Sequence, residues 1–152
     1  MATIVQATVD RVAKDAGMVK RSGSWYARGD ETILVLNLQK SNYSASYYLN
    51  VAVWLLAVES ADFPKENKCH IRTRMTQLVD DPGYLDRLLD VEWVTANDHG
   101  PELLKQLLDE RICWIREATA SLDALRGSNG ITLRSKSLVT GEAAKVLRST
   151  SE

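Results

Sequence analysis

Asn37, Gln39, Tyr48, Asn50, Arg72 and Arg74 are the residues of this chain whose types and spacing could act together. Each pair is separated by one residue, so in an extended strand both members point to the same side. Three amides, a phenol and two guanidiniums form a recognition set. Arginine presents a planar donor fork to carboxylate or phosphate, and amides both donate and accept. Asn37 and Gln39 end an otherwise apolar run from Ile33, and amides held in such a run cost free energy unless something pairs with them. A face of this kind can simply stand in water, as one side of an antiparallel sheet often does. It can take an anionic group or a partner's backbone, or it can be covered by the Ser/Thr-rich tail from Thr132 to Ser151.

Catalytic constellations are poorly supported. His70 and His99 are the only histidines, and neither has an i, i+4 partner or a Cys-x-x-Cys nearby, so no metal site is expected. Cys69 and His70 are adjacent, which in a strand sends them to opposite faces and argues against a Cys–His dyad. The sequence has no nucleophile elbow, no Walker loop and no dinucleotide fingerprint. The acids of residues 80 to 110 fall at helical surface spacings and do not form a glycosidase-type pair. A non-enzymatic protein without cofactors is the expectation.

Charge is unevenly distributed along a chain whose formal net charge is −1. Residues 80 to 110 carry nine acids against Arg87 and Lys105, whereas residues 126 to 152 carry five cations against two acids. The first segment offers an acidic docking surface, with Asp86, Asp90 and Asp109 as its candidates, for a basic protein partner. The overall balance argues against direct nucleic-acid binding, which wants a dominant basic face. No apolar run reaches the roughly 18 residues of a membrane span, and no leader pattern opens the chain. A cytoplasmic protein without membrane association is expected, and the two cysteines, Cys69 and Cys113, read as buried free thiols.

The elements that must position these residues are legible from period and punctuation. The 152 residues, 45% hydrophobic and 26% charged, predict a single α+β domain (1–152) able to bury roughly 70% of its unfolded surface. Residues 130 to 152 read as a loosely attached tail with a short helix through Ala143, Ala144 and Leu147. Residues 2 to 16 predict an amphipathic helix stopped by Gly17. Arg28-Gly29-Asp30-Glu31 predicts a tight turn with Gly29 at positive φ. Pairing Arg28 with Glu31 then sets Trp25 opposite Leu34, Ser24 opposite Val35 and Ser22 opposite Asn37.

The second strand runs from Ile33 to Lys40 and the third from Tyr47 to Val58. Closing that hairpin at Lys40 and Tyr47 sets Asn37 opposite Asn50 and Gln39 opposite Tyr48. A fourth strand, His70 to Val79, adds Arg72 and Arg74 to the same face. Asp80-Asp81-Pro82 opens a short helix, Glu92 to Val94 reads as a short edge segment, and a long helix runs from Gly100 to about Leu125. The sum is an N-terminal helix, a four-stranded antiparallel sheet, and C-terminal helices packed on its Leu-rich face.

Several of these segments resemble the DUF4304 domain family. The resemblance rests on Met18-Val19-Lys20-Arg21-Ser22-Gly23 leading to Trp25-Tyr26, on Asn37-Leu38-Gln39-Lys40-Ser41, and on Tyr48-Leu49-Asn50-Val51 running to Trp54. It covers about residues 2 to 125, and it departs at Gly17-Met18, where the family-like pair is Gly-Phe. It implies an α+β fold, no established activity and no catalytic residue to carry over. Domains of this kind occur in bacteria and phages, sometimes near toxin or defence genes, which implies an immunity protein that binds and inhibits a toxin. A sensor or enzyme taking a small anionic ligand on the polar sheet face is the alternative. A homodimer pairing those faces is the third.

Overall fold

The computed structural model describes residues 2–148. Helix α1 (Ile4–Asp15) begins at a capping box in which Thr3 accepts from the Gln6 backbone and Gln6 reaches back to Thr3. It turns Val5, Thr8, Val9, Val12 and Ala13 inward. Six antiparallel strands follow: β1 (Val19–Arg21), β2 (Ser24–Arg28), β3 (Thr32–Lys40), β4 (Tyr47–Leu55), β5 (Ile71–Arg74) and, much later, β6 (Leu138–Val139). Their spatial order is their chain order. The expectation of four strands is therefore corrected to six. The two additions are three and two residues long, too short to display a period.

The β3–β4 register matches the predicted one throughout, with Asn37 opposite Asn50 and Gln39 opposite Tyr48. The β2–β3 register is displaced by two residues: Arg28 pairs with Ile33, Trp25 with Leu36 and Ser24 with Asn37. Two-residue displacement preserves every side chain's face. Its cause is Glu31, which leaves the ladder so that its carboxylate accepts from Leu122 N–H at 3.1 Å and its carbonyl from Leu56 N–H at 3.0 Å. Gly29 does not take positive φ. The β2–β3 connection is still at Gly29–Glu31, where Gly29 N–H donates to the Thr32 carbonyl at 2.8 Å. A further tight turn at Ser22-Gly23, joining β1 to β2, has both residues at positive φ (51° and 82°), the geometry that a two-residue hairpin loop requires.

The predicted fourth strand stops at Arg74. Met75 to Leu78 forms a 3-10 turn that buries Met75 and Leu78 three residues apart, the spacing of a 3-10 face. Helix α2 (Pro82–Leu88) starts at Asp81, whose side chain accepts from Tyr84 N–H. The segment expected as an edge strand is helix α3 (Val91–Ala96), because Asp90 accepts from the N–H groups of Glu92 and Trp93 and nucleates a turn.

The long helix α4 (Gly100–Ala118) ends earlier than expected. The Thr119 carbonyl accepts from the Thr32 hydroxyl at 2.6 Å, and Ser121 caps a new helix, α5 (Leu122–Arg126). Helices α6 (Ser128–Ser135) and α7 (Gly141–Arg148) complete the described chain.

The main core lies between the helices and the Leu34, Leu36, Leu49, Val51 and Val53 face of the sheet. Leu125, Leu133, Ala143 and Leu147 from the C-terminal segment join it. The opposite face divides in two. At one end Tyr26, Ile33, Val35, Ala52, Trp54 and Cys69 form a second apolar cluster, beneath the connection from Leu56 to Lys68. The other end is polar. Among the described residues no helix is long and apolar enough to cross a membrane.

Candidate functional site

The strand registers, taken together, lay one row of polar residues straight across the sheet. Arg21 pairs with Ser24, Ser24 with Asn37, Asn37 with Asn50 and Asn50 with Arg74. Side chains directly opposite across a ladder share a face, so a guanidinium stands at each end and a hydroxyl and two amides lie between. Gln39 and Tyr48 form the row beside it, and Arg72, opposite Ala52, lies on its other flank. All six residues expected from alternation thus occupy one face.

Hydrogen bonds run along the row. The Asn37 amide donates to Ser24 Oγ at 3.0 Å. Asn50 Nδ2 donates to Asn37 Oδ1 at 3.2 Å and to Gln39 Oε1 at 3.1 Å, and Arg74 Nε donates to Asn50 Oδ1 at 3.4 Å. Asn50 is only 6% exposed, and this network is what makes its burial tolerable. The Arg74 guanidinium lies 4.2 Å over the Tyr48 ring and that of Arg21 lies 4.3 Å over Phe63. Both guanidiniums are thus held by cation–π contact. The amides satisfy one another, not the tail. Tail residues Lys136 to Leu138 instead border the site, with Leu138 paired to Arg72 and the Lys136 carbonyl accepting from Thr73 Oγ1 at 2.8 Å.

This end of the face is concave. A hollow of about 570 Å³ is lined by Arg21, Ser24, Asn37, Lys65 and Arg72, and an adjoining one of about 420 Å³ by Asn50, Arg72, Arg74 and Lys136. Glu66 lines both, and its Oε2 accepts from Arg72 Nε at 3.2 Å. Five cationic residues therefore surround one carboxylate, in a chain whose net charge is −1. A larger hollow of about 730 Å³ between α1 and β1–β2 has no such bias. There Asp10 pairs with Lys14 at 3.0 Å and Asp15 with Arg11 at 3.7 Å, and the Trp25 indole N–H holds the Asp10 carboxyl below its ordinary range.

The acidic candidates are placed differently. Asp90 caps α3 and accepts from Ser46 Oγ at 3.1 Å, and Asp109 pairs with Lys105 at 2.7 Å. Asp86 stands exposed. Two of the three carboxylates thus already have partners within the chain. Trp54, which alternation places on the polar face, is buried against His70 at 4.3 Å between ring centres and donates to the Glu59 carbonyl. Cys69 is buried, and burial first, then Glu66, pushes its thiol up to about 12, which suits packing and not nucleophilic attack. Cys113 is exposed, correcting the expectation of two buried thiols.

Sequence reasoning missed Arg21, Lys65, Glu66 and Lys136. Arg21 had a usable signal. Reading Ser22-Gly23 as the hairpin loop sets Arg21 opposite Ser24 and extends the polar row. The other three lie on a 3-10 turn or beside it and on the approach to a two-residue strand, where no period exists to read.

The fold and this face define an α+β protein with a meandering six-stranded sheet, helices on one side and a basic polar hollow on the other. The chain belongs to the family described as Domain of unknown function (DUF4304), which it matches over residues 9–118. No curated protein and no solved structure matches it.

Proposed function

We propose that this protein is a non-catalytic binding module that holds a protein partner on the polar end of its open sheet face. The observation that carries this reading is the row from Arg21 to Arg74, anchored by its own hydrogen bonds and edged by cations. A preorganised set of charged donors loses little freedom on binding, which favours recognition. Inhibition of a toxin, as an immunity protein, is the form of binding we propose to test first. A tagged chain should capture its partner from the native host, and R72E together with R74E should abolish capture while D86K and D109K leave it intact. Capture lost only in the acid-reversed variant would move the contact to the α2–α4 surface.

A second reading is favoured by the sizes of the two hollows, which lie in the range of small-ligand sites. Thermal shift against nucleotides and phosphorylated metabolites tests it. A ligand at 100 times its dissociation constant stabilises by about 2.7 kcal/mol, and a flat screen removes this reading.

A further inference from the structure

Building on the protein-binding reading, we propose that the site takes an extended acidic peptide segment, laid across the strands from Arg21 to Arg74, and that Glu66 stands in for one of its carboxylates when the site is empty. Arg21 and Arg74 are the ends of a row spanning five strands. Four interstrand spacings separate them by about 19 Å, which an extended peptide covers in about six residues at about 3.3 Å each. Its alternate side chains then fall about 6.6 Å apart on the side facing the sheet. That periodicity delivers carboxylates to both ends of the row, where Arg21 stands on β1 and Arg74, with Arg72 beside it, on β5.

The donors are there to receive them. Among the described residues, the Nη groups of Arg21, Arg72 and Arg74 and the ammonium groups of Lys65 and Lys136 have no hydrogen-bond or ion-pair partner. Between them Gln39 is exposed and its amide nitrogen is uncommitted, leaving donors for a peptide carbonyl. The pairing already present beside the β5 end is a carboxylate on a guanidinium, since Glu66 accepts from Arg72 and its side chain is 13% exposed. A single-stranded nucleic acid fits less well. Binding of that kind rests on open aromatic faces for base stacking, whereas Tyr48 and Phe63 each carry an arginine over the ring.

The test uses the full chain and a fluorescent peptide of about seven residues alternating glutamate with serine, read by anisotropy at low and high salt. Binding should be strong at low salt and weaken as salt screens the charges. R21A and R74A should each weaken it about tenfold, with R21K recovering part of the loss, and E66Q should tighten it severalfold. A peptide of about three residues should respond to only one of the two end substitutions. Equal affinity of wild type, R21A and R74A, with unchanged circular dichroism, would overturn the proposal. So would weaker binding by E66Q, or a short oligothymidylate binding more tightly than the peptide. A native partner captured through Arg72 and Arg74, alongside a peptide that does not bind, would sink this inference alone. Absence of any such partner would sink the parent reading.

Discussion

Asn50 lies directly opposite Asn37 across the β3–β4 ladder, and its amide bridges Asn37 and Gln39 while its oxygen accepts from Arg74. One 6%-exposed side chain thus joins three strands.

Truncating it should therefore leave Asn37 and Arg74 short of partners. N50A should destabilise by about 1–3 kcal/mol, read as the midpoint of urea unfolding. Combined with N37A the two losses should not add, because they share one network. Full additivity would mean that the bonds along the row are energetically independent.

His70 supplies a pH dependence. Its Nδ1 accepts the Leu55 N–H at 2.9 Å, and burial holds its pKa below the ordinary 6.5, against weaker raising contributions from Glu142 and Glu59. The native ring is thus neutral where the unfolded ring is already protonated. The unfolded state binds more protons in that window, so stability rises with pH. Stability should be at its full value above pH 6.5, decline as pH falls below it, and stop declining below the native pKa. H70Q should flatten the profile of unfolding midpoint against pH in the range just below 6.5. A profile unchanged in H70Q would assign the dependence to other groups.

Thiol reactivity should separate the two cysteines. In the native protein a thiol reagent at pH 8 should modify Cys113 and spare Cys69, and denaturant should release the second equivalent. Rapid labelling of Cys69 in the native state would show that the cluster beneath the Leu56 to Lys68 connection opens easily.

Asp90 and Asp86 should behave differently on truncation. D90A removes the cap of α3 and the Ser46 contact, a loss of about 1 kcal/mol that should lower the melting temperature by about 2–4 °C in a domain of this size. D86A, at an exposed position, should leave it unchanged.

What the sequence makes legible follows from where physical signals are periodic. The β3–β4 hairpin, with nine residues on each side, repeats its alternation often enough to fix the register, and the amide cluster follows from it. Parity survived the error at Gly29 because a displacement of two residues keeps each side chain on its face. What remained hidden depends on single contacts between distant segments. Glu31 leaves its strand to meet Leu122 N–H, and the Thr119 carbonyl turns toward Thr32. Neither contact has a sequence signature. The cap at Asp90 did have one, and reading it would have replaced an edge strand with a helix.

The family match spans residues 9–118, yet Leu125, Leu133, Ala143 and Leu147 fill the same interior as α1 and α4, and the Arg126 guanidinium donates to the carbonyls of Val146 and Leu147. A clone trimmed to the matched span would strip those plugs from the hydrophobic interior, cut away the first turn of α1 and open the β5 edge to neighbouring molecules. Such a fragment is expected to aggregate more readily than the whole chain. The stretch that the family shares is thus shorter than the stretch that fills this interior.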